Sequence, residues 1–188
     1  MARLLYSTNV SLDGYIEDAI GDFQFSSPSD EVHAFINDRL RDVGTHLYGR
    51  RLYETMRVWE TDPSLTEGPP IYRDFAATWQ AADKVVYSTT LTDVSTSRTR
   101  LERSFRADDV RALKATADRD LLVGGAALGG QALGHGLVDE VHLYVAPVVL
   151  GAGKPALPPG IRLDLELLEE RPFASGTIYL RYACRPSH

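Results

Sequence analysis

The chain has 188 residues, 44% hydrophobic and 24% charged, with a formal net charge of −6, values that fit an ordinary folded protein and exclude wholesale disorder. Its length is most simply one domain, residues 1–188, and its acidic balance argues against a general nucleic-acid binder. The single cysteine, Cys184, excludes an intramolecular disulfide and a thiolate metal cluster. No run of about 18 apolar residues and no signal-peptide pattern occurs, so a cytoplasmic protein without a membrane segment is expected.

Arg3 to Val10 is apolar and β-prone enough for a buried first strand. Ser11 to Ser27, punctuated at Asp13-Gly14 and Gly21-Asp22, is expected to be a loop long enough to serve as a lid. A helix is predicted from Pro28 to Leu40, where Val32, Phe35, Ile36 and Leu40 share one face. Ser27 would cap it, and Ser27 with Asp30 forms an S-x-x-D capping box. Thr45 to Tyr48 is a short strand that passes through Gly49 into a helix opening on Arg50-Arg51. Cations there oppose the helix dipole. They are either solvated, one of them paired with Glu54, or they serve a phosphate, which guanidinium holds bidentately.

Glu60 to Pro70 is expected to be a loop, and Ile71 to Ala82 a helix with Phe75 and Trp79 one turn apart. Lys84 to Tyr87 is a buried strand ending in Ser88-Thr89-Thr90, hydroxyls that either bond a ligand or cap the next turn. Between Ser95 and Arg106, Arg98, Arg100, Arg103 and Arg106 are opposed only by Glu102. Alternation of Thr99 and Leu101 with these arginines describes a half-exposed edge strand whose solvated charges block aggregation; a phosphate contact is the weaker reading. A helix follows from Asp108 to about Ala117.

Leu121 to Val123 is a short buried strand that runs through Gly124-Gly125 into a helix over Ala126 to Leu133. Glycines at such a junction let a ligand approach the helix-start N–H groups, where the positive end of the dipole suits a phosphate. A tight turn with no ligand is the alternative, and the G-x-G-x-x-G fingerprint is absent. Leu137 to Ala146 is a long strand on which His142 lies beside Glu140 as a surface pair. Pro147 to Gly160 is a loop whose Gly151 to Lys154 lacks P-loop spacing. Ile161 to Glu170 and Thr177 to Cys184 alternate as an antiparallel hairpin. The whole describes an α/β protein, a mostly parallel sheet with helices on both faces and a terminal hairpin.

No G-x-S-x-G elbow or H-E-x-x-H motif is present, and His33, His46, His135, His142 and His188 are scattered, so neither nucleophilic hydrolysis nor a metal centre is indicated. In an α/β sheet, ligands collect at the carboxyl ends of the strands. Two glycine turns, an arginine pair and a run of hydroxyls at such ends suit a phosphorylated nicotinamide cofactor, NADPH, which supplies the hydride while the protein orients it.

Ser11-Leu12-Asp13-Gly14, Gly49-Arg50-Arg51-Leu52-Tyr53-Glu54, Val123-Gly124-Gly125, Gly136 to Tyr144 and Ala146 to Pro155 together resemble the reductase domain of riboflavin-biosynthesis deaminase–reductases. The likeness spans nearly the whole chain and implies a three-layer dihydrofolate reductase-like fold, without a deaminase domain. It is closest to the stand-alone members, and it implies a homodimer and a 5-amino-6-(5-phosphoribosylamino)uracil reductase-like or dihydrofolate reductase-like activity. By the same resemblance Arg50 would hold the 2′-phosphate of the cofactor, flanked by Gly49 and Arg51. Ser88, Thr89 and Thr90 would flank the adenosine, and Ala126, Ala127 and Leu128 would donate N–H groups to the pyrophosphate. Gly124-Gly125 would be joined by a cis peptide, and Ile16 would meet the nicotinamide. Asp30 matches the carboxylate that binds a pterin and assists its protonation, although the capping box equally accounts for an acid there. Leu52 departs from the threonine common at its position. The competing function is a nucleotide-binding protein that keeps the cleft without turnover.

Overall fold

A computed structural model describes residues 1–185, and His188 lies outside them. The apolar start of the chain forms β1 (Leu4–Ser11), a central strand whose Leu4 and Tyr6 face one side of the sheet and Leu5 the other. β2 (Tyr15–Asp18) and a 3₁₀ turn (Gln24–Ser26) lead to α1 (Asp30–Leu40) and β3 (Val43–Gly49). Four helical pieces follow, α2 (Arg50–Met56), α3 (Val58–Thr61), α4 (Pro63–Thr66) and α5 (Pro70–Ala81), before β4 (Asp83–Tyr87) and β5 (Thr99–Glu102). The remainder is α6 (Ala107–Thr116), β6 (Asp120–Gly124), α7 (Ala126–Gly134), β7 (Glu140–Ala146), β8 (Gly153–Pro155), β9 (Asp164–Pro172) and β10 (Ile178–Arg185).

Eight strands form one sheet in the order β5-β4-β3-β6-β1-β7-β10-β9. Pairing is parallel from β5 through β7 and antiparallel where β10 and β9 close the edge. Alternation divides the core between the two faces. Leu4, Tyr6, Leu47, Leu121 and Val123 pack under α6 and α7 with Val110, Leu128 and Leu133. On the other face Tyr144 and Tyr179 meet Val32 and Phe35 of α1, and Tyr48 and Val86 meet Phe75 and Trp79 of α5. This is the expected mostly parallel, two-faced arrangement with a terminal hairpin. Lys84, 1% exposed, turns its ammonium back on the carbonyls of Trp79 (3.1 Å) and Ala82 (2.9 Å), closing the end of α5.

Four local expectations are corrected. Ser11 to Ser27 is not wholly loop, because β2 pairs with β8 in a small second sheet. The Asp13 carboxylate draws that partner in by accepting from the N–H groups of Leu150 (3.1 Å) and Gly151 (2.7 Å), a long-range contact that no local periodicity reports. Glu60 to Pro70 holds the end of α3 and the whole of α4, and Asp62 caps α4 by accepting from Ser64 N–H at 2.9 Å, with Pro63 at the first helical position. α1 starts at Asp30, not Pro28. Its cap is Ser29, whose hydroxyl oxygen accepts from Val32 N–H at 3.4 Å, so the Ser27 capping box does not form. His142 and Glu140 are not a surface pair: 6% and 7% exposed, they meet at 3.0 Å, and the Tyr179 hydroxyl reaches His142 Nδ1 at 3.0 Å. β10 pairs alongside β7 and brings Tyr179 over what an isolated hairpin would leave wet.

Candidate functional site

Parallel register brings four strand ends level. Tyr48 lies opposite Gly124, Gly49 opposite Tyr87, and Tyr87 opposite Glu102, so β3, β4, β5 and β6 finish on one edge. From the neighbouring strands β6 and β1 the chain departs to opposite faces, into α7 and α1 respectively, which opens a crevice at their carboxyl ends.

Gly125 makes the turn out of β6 with φ +83° and ψ 133°, a region that side chains with a Cβ avoid. The implied cis peptide at Gly124-Gly125 is absent, since no peptide among the described residues is cis; the positive φ of Gly125 accomplishes the reversal instead. Gly124 is required for a different reason: a Cβ there would lie 2.4 Å from Leu52 Cδ2 and 3.2 Å from Tyr48 Cε1. Leu52 thus lies across the glycine pair. No side chain caps α7. The N–H groups of Ala126, Ala127 and Leu128 have no acceptor within their own helix.

A cavity of about 450 Å³ opens beside these ends, lined by Gly49, Arg50, Ser88, Thr89, Thr90, Ala127 and Leu128. Arg50 is held only loosely, 3.7 Å from Glu54 with both side chains well exposed. Ser88 is buried and accepts from the N–H groups of Thr90 (3.2 Å) and Leu91 (3.0 Å), which shapes the turn and leaves Thr89 and Thr90 exposed at the mouth.

Tyr87, Arg103, Ser104, Phe105 and Gln131 complete the lining. Arg103 is the residue the sequence undervalued. Its guanidinium donates to the carbonyl oxygens of Leu91 and Ser88, the latter at 3.2 Å, and this exposed side chain forms part of the cavity wall. The signal was the arginine-rich stretch, but only the pairing of β5 with β4 sets Arg103 beside Ser88. Tyr87, packed edge-on against Phe105 at 5.3 Å, has its phenol pushed up to about 12 by burial and stays neutral.

Other predicted residues lie around this cavity without lining it. Gly124 is buried behind it, and Gly125 and Ala126 are half-buried at the turn. Arg51 is exposed on α2, and Ile16 is half-buried in β2. Asp30 is exposed in the first turn of α1, next to Ser29. Ser29 lines a second cavity of about 350 Å³, together with Asn9 of β1, Tyr144 and Ala146 of β7, and Thr177; Asp30 does not line it. Burial pushes the Cys184 thiol up to about 11 and so away from nucleophilic use. Among the described residues, no His, Cys, Asp or Glu cluster is placed to hold a metal, and no helix is long and apolar enough to cross a membrane.

The sequence profile of the RibD C-terminal domain matches residues 2–179. The chain belongs to this family. The RibD C-terminal domain match spans the whole parallel part of the sheet and both cavities. The uncharacterized protein YyaP of Bacillus subtilis strain 168 is 29% identical over 182 residues, 96% of this chain and 94% of that one. Among solved structures, a diaminohydroxyphosphoribosylaminopyrimidine deaminase/5-amino-6-(5-phosphoribosylamino)uracil reductase from Thermotoga maritima superposes with a TM-score of 0.66 at 14% identity. That likeness covers 98% of this chain and 57% of that one. A dihydrofolate reductase from Enterococcus faecalis, complexed with NADP(H), gives a TM-score of 0.64 at 11% identity over 98% of this chain and 97% of that one. At these identities the structural likeness shows the fold, which is dihydrofolate reductase-like.

Proposed function

We propose that the protein is an NADPH-dependent reductase of a small heterocyclic, pterin- or pyrimidine-like, or carbonyl substrate. The observation that carries this is the convergence of Arg50, Arg103 and the Thr89 and Thr90 hydroxyls on one cavity beside the uncapped first turn of α7. These residues fit a phosphorylated dinucleotide. Arg50 is free enough to turn onto a 2′-phosphate, with Gly49 giving close backbone approach and Arg51 adding charge nearby. Ser88, Thr89 and Thr90 border the adenosine. Gly124 and Gly125, having no side chains, keep the approach to the N–H groups of Ala126, Ala127 and Leu128 open for a pyrophosphate. When bound, NADPH supplies the hydride. The β6 turn lies in sheet order between the strand ends of the larger cavity and β1 with β7, where the smaller one begins. Cofactor and substrate would therefore share one edge of the sheet, with Ile16 of β2 against the nicotinamide.

Asp30 stands as the candidate for substrate fixation or proton delivery from the start of α1. Its position outside the lining of the smaller cavity favours a second reading, a nucleotide-binding protein without turnover. The proposal includes a homodimer, supported by the exposed Leu165, Leu167 and Leu168 on the edge strand β9, and a cytoplasmic setting, supported by the single free cysteine.

Titration with NADPH and NADH tests the proposal. NADPH should bind more tightly, and Arg50→Ala should weaken it by roughly tenfold to a hundredfold while leaving NADH nearly unchanged. Consumption of NADPH with a pterin, pyrimidine or carbonyl compound separates the reductase from the binding protein. Failure of both nucleotides to bind would sink both readings.

A further inference from the structure

The smaller cavity has polar and aromatic walls but no charge. Asn9, Ser26, Ser27, Ser29, Ser175 and Thr177 supply amide and hydroxyl groups. Phe25, Pro28, Val32, Tyr144, Ala146 and Pro147 supply flat or apolar surface, and no Lys, Arg, His, Asp or Glu is among the lining residues. Several polar groups already have work. Asn9 Nδ2 donates to the Ser26 carbonyl at 3.1 Å, a bond that does not use its amide oxygen. Ser175 Oγ donates to Thr177 Oγ1 at 3.1 Å.

The charged groups on the flanking elements are acidic, bridged to a carboxylate or, for Arg171, set against aromatic rings. Asp30 and Glu31 occupy the first turn of α1, so the positive end of that helix is already offset. Glu31 also accepts from Ala174 N–H at 3.1 Å, in the turn that carries Ser175. On the flanking elements, Arg39 of α1 is bridged to Glu169, and Arg171 of β9 lies over Phe35 (4.8 Å) and Phe173 (5.1 Å). A phosphate ester would bring close to two negative charges against walls that hold no cation, with Asp30 and Glu31 in the adjoining first turn of α1, so attraction is missing and like-charge repulsion opposes it.

We infer that this cavity selects an uncharged, unphosphorylated heterocycle or carbonyl compound and rejects its phosphate ester. The substrate class therefore differs from the phosphoribosyl compound for which the Thermotoga maritima relative is named. The inference takes the cavity as the substrate site of the reductase proposed above. Selection by charge, however, is a property of the cavity and its flanking charges and is measurable apart from turnover.

Ligand-observed NMR in the presence of NADPH tests it with three matched pairs: uridine and its 5′-monophosphate, pyridoxine and its 5′-phosphate, glyceraldehyde and its 3-phosphate. The neutral member should bind more tightly, by roughly tenfold or more in at least one pair. Ser175→Arg, at an exposed turn position that tolerates a long side chain, should narrow or invert that gap, and Ser175→Glu should widen it. Tighter binding of a phosphorylated member to the unaltered protein, weakened by Ser175→Glu, would overturn the inference. So would the failure of every neutral member to bind. An NADPH titration of the same sample reports on the reductase separately: neutral-probe selection without NADPH binding overturns the reductase and leaves the charge selection standing.

Discussion

Gly124 and Gly125 are adjacent, yet they should resist substitution for different physical reasons, and Leu52 separates the two. In Gly125→Ala the new Cβ would lie 3.8 Å from Leu52, an ordinary contact, so packing adds almost nothing. The cost is backbone strain at φ +83°, about 1–3 kcal/mol, reduced by about 0.4–1 kcal/mol because alanine has less freedom to lose on folding. In Gly124→Ala the backbone is unstrained, but the Cβ falls 2.4 Å from Leu52 Cδ2 and 3.2 Å from the buried ring of Tyr48, whose hydroxyl accepts from Trp79 Nε1. Displacing Leu52 by roughly 1 Å and pressing on Tyr48 should cost about 1–3 kcal/mol. Leu52→Ala, at a half-buried position, should cost about 1–2 kcal/mol alone. Combined with Gly124→Ala it should recover about 1 kcal/mol or more relative to the sum; combined with Gly125→Ala the effects should simply add. Urea unfolding followed by tryptophan fluorescence measures all five variants against the parent. Equal rescue of both glycine substitutions by Leu52→Ala, or a neutral Gly125→Ala, would refute the assignment of strain to one residue and of crowding to the other.

Arg103→Ala removes the donor that ties the Ser88 and Leu91 carbonyls together, so it should cost about 1–2 kcal/mol of stability and also weaken NADPH binding, whereas Arg50→Ala should leave the melting temperature nearly unchanged. A spectroscopic melt and a titration on the same two proteins check the contrast. His46 is buried beside Lys84 and Arg119 with neither ring nitrogen bonded, and its pKa falls from 6.5 to about 3, chiefly by desolvation and then by those two cations. Below pH 6.5 the unfolded chain takes up a proton that the native ring refuses, so stability should fall with pH down to about 3, by up to about 1.4 kcal/mol per pH unit. His46→Phe should flatten that slope in urea unfolding repeated across the window; an unchanged slope would assign the acid sensitivity to other groups.

The sequence by itself determined which stretches become strands and helices wherever the pattern is local and long. Val32, Phe35 and Leu40 mark α1, Phe75 and Trp79 mark α5, and the alternation from Ile161 marks the terminal hairpin, although its first strand begins only at Asp164, because a 3.6- or 2-residue period is a property of neighbours along the chain. The glycine junctions at Gly49 and Gly124-Gly125 were legible too, since a strand that turns at once into a helix needs residues that permit the turn. They located much of the larger cavity, and Gly49, Arg50, Ser88, Thr89, Thr90, Ala127 and Leu128 do line it.

Tertiary structure alone decided what depends on strand order. Arg103 belongs to that cavity because β5 pairs with β4, and an arginine in a solvated edge pattern carries no sign of its neighbour. Glu140 and His142 alternate like a surface pair, yet β10 and its Tyr179 cover them. β2 exists only because β8, more than a hundred residues distant, pairs with it. The uncharged cavity gathers Asn9, Ser29, Tyr144 and Thr177 from four separate segments, none marked by a motif. Local propensity sets the elements; which side chains meet is settled by pairings across the sheet, whose cost and gain are both non-local.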